Sequence, residues 1–483
     1  MVDGKIVLYA SHISYNTPKS DIFGMENSGI RILDDISFKL HEGESMGIIG
    51  ESGSGKTALI DILLSLIKPT SGELFMDVTK EVGEELDEIN RRIEKINELF
   101  IEKYGYNPDE EEIEGNDELD LLTERYEELC KELSIFRMNN REISKKRGYI
   151  QPVFQDVYST LDPKKDIMSS LSEPLRYIQH INREEIGYRL QNIMTEVGID
   201  EKSLSKYPVH LSESEKQKVA IMRALSVNPR IVVMDDPTAY LDVTMKIKLF
   251  NLINQRRSEN GTSFIIASSN LSFISTFTQT VAVLCRGRIV EIGPSIDIFS
   301  NSLHPYTKAL ISSIPSSDPS IKIEGIALRK HGPDYEQIPK GCVFHTKCPN
   351  VMSNCGWSTE DIQPYIREII DEYRLDDPAS IPEIENIISD EGENLIEISF
   401  RDEENYDQNI VRRKIEELIE IRKQKPDGIK FGAIDFIEFE AENNNLIIQL
   451  IKPVLPKMIE VSEDHFVSCF MYTVDEEEKE PQN

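Results

Sequence analysis

No stretch of the 483 residues approaches the roughly 20 consecutive apolar residues that a bilayer-crossing helix needs, so any membrane contact has to come through a partner. Basic residues are also scarce: 54 Lys and Arg face 86 Asp and Glu, a net charge of −32. A phosphate backbone would be repelled by that field, which excludes nucleic acid as the expected partner and reads mainly as solubility. Cysteine is sparse, with six residues, and in a chain of intracellular character these are expected to be free thiols or metal ligands rather than a disulfide framework. Met1 to Ala10 reads as a strand, not a secretory signal. What is present is 39% hydrophobic and 29% charged residues over a length that suits two or three domains.

The most informative stretch is Gly50-Glu51-Ser52-Gly53-Ser54-Gly55-Lys56-Thr57, between a short apolar strand (Met46 to Ile49) and an apolar helix (Ala58 to Ile67). Glycines let backbone N–H groups wrap phosphates, Lys56 can reach the terminal phosphates, and Thr57 offers a hydroxyl to Mg²⁺. The helix N-terminus adds its positive dipole end. Further on, an apolar strand ends in Gln155. A loop at Tyr207 to Leu211 feeds an amphipathic helix through Ser212, and Ile231 to Met234 delivers Asp235 and Asp236 to a strand end. Tyr240-Leu-Asp242 follows, and a second buried strand, Ser263 to Ala267, ends at Ser268-Ser269-Asn270.

In that order these motifs resemble an ABC-type ATPase: Walker A at Gly50–Thr57, Q-loop at Gln155, signature at Leu211–Glu215, Walker B at Ile231–Asp235, D-loop near Asp242 and switch position at Ser269. Phe154 to Pro163, Gly287 to Pro294, His304-Pro-Tyr306-Thr-Lys-Ala-Leu and Gly341 to Pro349 look like the dipeptide, oligopeptide and nickel importer ATP-binding proteins. The likeness covers about residues 1–78, 146–357 and 453–472. It implies an α/β fold, a P-loop NTPase of ABC type with a RecA-like core and a helical subdomain. It also implies ATP and Mg²⁺ as cofactors, with Tyr15 stacking on adenine and Asp235 holding Mg²⁺ beside Thr57 and Gln155. Gln155 would sense the γ-phosphate and Ser212 would reach ATP on an opposing subunit. The implied setting is the cytoplasm, at the inner face of the cell membrane beneath permease subunits.

Three departures bear on catalysis. The glutamate that follows the Walker B aspartate in active relatives is Asp236 here, one methylene shorter, which sets its carboxylate about 1 Å further from the attacking water. The switch histidine is replaced by Ser269, which is neutral and too short to bridge from the strand end to the γ-phosphate. The signature, expected as Leu-Ser-Gly-Gly-Gln, reads Leu211-Ser212-Glu213-Ser214-Glu215. Two carboxylates near a polyphosphate repel it by roughly a few kcal/mol at about 4 Å and an effective dielectric near 20, although Lys216 partly offsets this. The expectation is firm ATP binding, poor hydrolysis by Asp236, Gln155 and Ser269, and pairing with a second, more complete ABC ATPase subunit.

The ABC domain is expected over 1–330, with a helical subdomain at 156–225 and an insertion at 79–146. Within that insertion Val82, Leu86, Ile89, Ile93, Ile96 and Phe100, and then Leu122, Tyr126, Leu129, Leu133 and Phe136, follow heptad spacings on either side of a turn-rich break at 105–116. This predicts an antiparallel helical hairpin with its seams packed on each other, and it leaves Cys130 off the seam. Residues 331–483 are expected to form a C-terminal domain. Cys342, Cys348, Cys355 and Cys469 there could build a [4Fe–4S] cluster, a closed zinc site, or remain buried thiols; some importer ATPases with similar cysteines bind a cluster. His345 reads as a packed histidine and Cys285 as core. An α+β insert is expected at 358–452 and an acidic tail at 475–483. A second functional reading is a soluble, non-transport ABC protein that remodels a metalloenzyme, like the component that activates methyl-coenzyme M reductase.

Overall fold

The structure, a computed structural model, describes residues 5–18, 29–104, 117–314, 326, 328–329, 338–377, 381–390, 392–401, 406–425, 428–440 and 445–473. The expected break at 105–116 and the acidic tail lie outside the described residues. Two compact units divide between Ser300 and Asn301, ahead of the residue-330 boundary read from the sequence.

In the first unit, β1 (Ile6–Asn16), β2 (Arg31–His41) and β4 (Ser71–Val78) form an antiparallel sheet in the order β2-β1-β4. A second layer holds β3 (Ser45–Ile49), β5 (Ile150–Val153), β6 (Ile231–Asp235), β7 (Ser263–Ala267), β8 (Thr280–Cys285) and β9 (Arg288–Pro294), in the order β9-β8-β3-β7-β6-β5. From β5 through β8 neighbours are parallel, and only β9 runs antiparallel. Every residue of β3, β6 and β7 is buried, as a parallel strand covered on both faces requires. Helix α1 (Lys56–Leu63) buries Leu59, Ile60, Ile62 and Leu63 in the same core as Ile48 and Val233. Consequently the segments after β3, β5, β6 and β7 all emerge at the carboxyl end of the sheet, where an open α/β sheet binds its ligands.

The hairpin helices are α2 (Lys80–Tyr104) and α3 (Asp117–Leu133). Their seams meet, but not only with each other. Leu86 and Ile89 of α2 and Leu129 of α3 share a buried cluster with Ile6, Tyr9, Phe75 and Val78 of the antiparallel sheet. The insertion is therefore a third layer on the strands rather than a projecting coiled coil, and this corrects the expectation of seams closed on themselves. It also explains Cys130, which is off the heptad seam yet fully buried in that cluster. Arg125 of α3 pairs with Glu85 of α2 at 2.7 Å across the exposed side.

Between β5 and β6 lie α4 (Ile167–Tyr177), α5 (Arg183–Val197) and α6 (Glu213–Ser226). Each is opened by a side-chain cap: Asp166 accepts from the Ser169 N–H, Asn182 from that of Glu185, and Ser212 from that of Glu215. Helices α7 (Val243–Asn260) and α8 (Leu271–Phe277) follow β6 and β7.

The second unit opens with α9 (Pro305–Ser312). Helices α10 (Thr359–Asp376) and α11 (Gln408–Lys423) accompany an antiparallel sheet of β10 (Ile384–Asp390), β11 (Leu395–Phe400), β13 (Leu446–Leu450) and β12 (Ile434–Phe439), in that spatial order. Strands β14 (Met458–Ser462) and β15 (His465–Ser468) form a hairpin.

Two glycines give opposite tests of the backbone. Gly72 has φ +89°, and a Cβ there would lie 2.3 Å from the His12 carbonyl oxygen. Gly187 lies inside α5 with open space around it. Gly72→Ala is expected to cost about 1–3 kcal/mol, whereas Gly187→Ala is expected to stabilise by roughly 0.5–1 kcal/mol. Urea unfolding of the two variants beside the parent checks both signs.

Candidate nucleotide site

The loop after β3 folds around its own lysine. The Lys56 Nζ donates to the carbonyl oxygens of Gly50 and Glu51, each at 2.8 Å, and to Ser54 Oγ at 3.4 Å. The loop fits because its glycines lack Cβ atoms: one on Gly50 would meet the Leu284 carbonyl oxygen at 2.2 Å. Gly55, at φ +104°, would drive its own to 2.7 Å from Leu33 Cδ2. Helix α1 begins without a side-chain cap or an acidic residue in its first turn, which leaves its N-terminal N–H groups and dipole suited to an anion. Burial lowers the pKa of Lys56, and the charges of Asp236, Asp235 and Glu51 work against that shift.

Asp235, buried at the end of β6, has its carboxyl pushed up to about 6, first by burial and then by the charge of Asp236. Lys56 and a hydrogen bond with the Thr57 side chain pull it back. Asp61, one turn along α1, adds a repulsive charge and has its own pKa raised by burial. The Thr57 hydroxyl and the Asp235 carboxylate are both oxygen donors, the set that a hard divalent cation takes.

Asp236 follows in a left-handed conformation, φ 43°. One of its carboxylate oxygens accepts from the Ser268 hydroxyl and the other from Ser269 Oγ at 3.3 Å. Its own N–H donates to the Ala267 carbonyl at 2.8 Å. Ser268 is almost wholly buried and also accepts from the Asn270 N–H at 3.0 Å. The carboxylate is thus clamped by the turn after β7. Ser268 had no assigned role in the sequence reading; its place beside Ser269 at the end of a buried strand was the available signal.

Lys56, Thr57, Asp235, Asp236 and Ser269 come together. Tyr15 pairs with Leu33, the residue packed under Gly55, and is half-buried against the core. Glu51 and Ser52 are exposed on the loop, and Gln155 is exposed after β5. Ser212 stands at the start of α6, where it forms a reciprocal capping box. Glu215 accepts from the Ser212 N–H and hydroxyl, both at 2.9 Å, and donates its own N–H to Ser212 Oγ at 3.3 Å. Glu213 accepts from the buried Lys216 at 2.8 Å.

In the second unit Cys342, Cys348, Cys355 and Cys469 are all buried and unpaired by disulfides. Burial, together with their mutual charges, pushes Cys342 up to about 12 and Cys348 up to about 11, and burial raises Cys355 as well. Their chemistry suits iron–sulfur or zinc. Among the described residues, no three or more His, Cys, Asp or Glu side chains are grouped to hold a metal ion. His345 is packed, with Nδ1 2.7 Å from the Cys342 carbonyl and Nε2 3.1 Å from Asp361 Oδ2. Cys285 is core.

A buried parallel sheet, a phosphate-cradling loop after its first strand and a helical layer before its acidic strand end define a P-loop NTPase of the ABC type. Residues 33–239 match the ABC transporter family and residues 290–355 the oligopeptide/dipeptide transporter C-terminal region. The oligopeptide transport ATP-binding protein AppF of Bacillus subtilis is 28% identical over 339 residues, covering 70% of this chain and 87% of that one. The dipeptide transport ATP-binding protein DppF of Haemophilus influenzae is 30% identical over 342 residues, 71% and 87%. The solved ATP-binding cassette MJ0796, a dimer bound to ADP and Pi, is 21% identical with a TM-score of 0.45, covering 60% of this chain and 98% of that one. The chain belongs to the oligopeptide and dipeptide ABC transporter ATP-binding family. Nothing in these relatives supports the soluble, metalloenzyme-activating reading.

The clamp on Asp236 can be tested through its two serines. Ser268→Ala removes a buried donor from a carboxylate and is expected to cost about 1–3 kcal/mol. Ser269→Ala, on an exposed and longer bond, should cost less. Equal urea-unfolding midpoints for the two variants would show that Ser268 does not hold Asp236.

Proposed function

We propose that the chain is the ATP-binding subunit of a peptide importer, working at the cytoplasmic face of membrane permeases. The observation that carries this is the meeting of Lys56, Thr57 and Asp235 at the carboxyl ends of β3 and β6, in a chain whose relatives are named for oligopeptide and dipeptide transport. No described helix is long and apolar enough to cross a membrane, so the pathway for the solute belongs to permease partners.

In this reading the N–H groups of residues 50–57 hold the phosphates and the Lys56 amine exchanges the Gly50 and Glu51 carbonyls for phosphate oxygens. Tyr15 stacks on adenine. Thr57, Asp235 and Gln155 would hold Mg²⁺, which offsets phosphate charge, and Gln155 relays the state of the γ-phosphate to a permease. Asp236 is the base for the attacking water, but it is short and already engaged by two serine hydroxyls. Ser269, donating to Asp236, does not take the place of a switch histidine. ATP is therefore held well and cleaved slowly. A second ABC ATPase subunit with a glycine-rich signature supplies the missing half of at least one composite site.

Lys56→Ala and Asp235→Asn should abolish MgATP binding in equilibrium dialysis. Asp236→Glu combined with Ser269→His should raise steady-state hydrolysis by roughly 10²-fold, the worth of a well-placed general base. Brisk turnover by the parent protein would contradict the assignment, as would a native complex purified without permeases.

For the four cysteines a [4Fe–4S] cluster is the second reading, supported by their common burial and mutual electrostatic influence. Protein purified without oxygen should then be brown, with about four irons per chain. Colourless, iron-free protein, or a Cys348→Ser variant with undiminished iron, overturns it.

A further inference from the structure

Among the described residues, two helices pack on one face of the four-stranded sheet of the second unit. Ile396, Ile398, Phe400, Leu446, Ile448 and Leu450 are buried on the side of α10 and α11. The strand register lays out the opposite face row by row. Ile388 pairs with Glu397, Glu397 with Ile447, and Ile447 with Glu438. In the next row Asp390 pairs with Leu395, Leu395 with Gln449, and Gln449 with Phe436. Period-two alternation puts these eight residues on the side away from the helices.

An open antiparallel face ordinarily carries polar side chains. Here apolar residues alternate with polar ones in both directions, the polar ones being three acids and the neutral Gln449, and none of the eight is basic. Ile388 and Phe436 are 53% and 45% exposed. Arg401, just beyond β11, is bound to Glu383 at 2.6 Å. The surface thus combines apolar area that gains from being covered with three carboxylates, Asp390, Glu397 and Glu438, whose charge selects what can cover it.

We propose that this face docks a partner protein through a segment in which basic and apolar side chains alternate. Charge decides among the possible occupants. A second copy of the chain would bring the same three carboxylates against their counterparts, and an anionic lipid surface would be repelled. A basic strand or helix places cations beside Glu397 and Glu438 and apolar groups over Ile388, Ile447, Leu395 and Phe436. Such complementarity governs specificity and encounter rate, while the apolar anchors hold the complex.

The test uses the full chain near physiological salt. The probe is a fluorescein-labelled peptide of alternating lysine and valine, with a glutamate–valine peptide as its counterpart. Saturable binding of the lysine peptide is expected by fluorescence anisotropy. Phe436→Ser and the pair Glu397→Lys with Glu438→Lys should each weaken it by about tenfold or more. Leu121→Ser, which alters an exposed apolar residue on α3, should leave it unchanged. Ile388→Ser serves as a second anchor variant, and circular dichroism verifies that each variant is folded. The proposal is overturned by equal affinity in all folded variants, which would mean adhesion to the general acidity of the chain, and equally by no binding of the lysine peptide. Preference for the glutamate peptide, or a dimer dissociated by Phe436→Ser, overturns it as well.

Discussion

Charge balance at the carboxyl ends of β3 and β6 sets the terms for the whole nucleotide site. Asp235 and Asp236 are consecutive, Asp61 adds its charge from α1, and Lys56 is the cation that offsets Asp235. A buried parallel sheet brings these groups close because every strand delivers its end to the same edge. Burial and the charge of Asp236 push the Asp235 carboxyl up, and the lysine and the Thr57 hydroxyl pull it back toward ionisation. An arriving polyphosphate would add negative charge here, so its cation has to arrive with it.

Much of this was legible in the sequence because the information is local. The phosphate loop, its lysine and its threonine are consecutive, and the flanking strand and helix are written in apolar runs. The capping box of α6 is carried by Ser212 and Glu215, three residues apart, yet from the sequence both are assigned to the nucleotide of an opposing subunit instead. The clamp on Asp236 was not legible, because Ser268 lies 32 positions away and reaches it only through the pairing of β6 with β7. The heptad seams of α2 and α3 were found correctly as apolar stripes, but periodicity says nothing about what a stripe packs on. The outer face of β1 and β4 supplied the partner, and with it the burial of Cys130. The four cysteines were legible as a set, but spacing along a chain does not say how far apart their sulfurs come to lie.

The two added elements use the same physics differently. The α2–α3 hairpin gives up its apolar stripes to the antiparallel sheet and presents charged pairs such as Arg125–Glu85 to solvent. The β10–β13 sheet satisfies one face with α10 and α11 and keeps apolar groups on the other. The first element is a closed layer, and the second is half of one.

The capping box at Ser212 has a consequence for how α6 meets an anion. The N-terminus of this helix carries its own carboxylate: Glu215 takes hydrogen bonds from the Ser212 hydroxyl and N–H, donors that a phosphate would otherwise use. The chain is its own competing ligand there, tethered three residues away and hence present at a local concentration that a free ligand does not match. A phosphate brought to this helix end would meet both Ser212 donors already engaged by Glu215, a carboxylate held within the helix's own first turn.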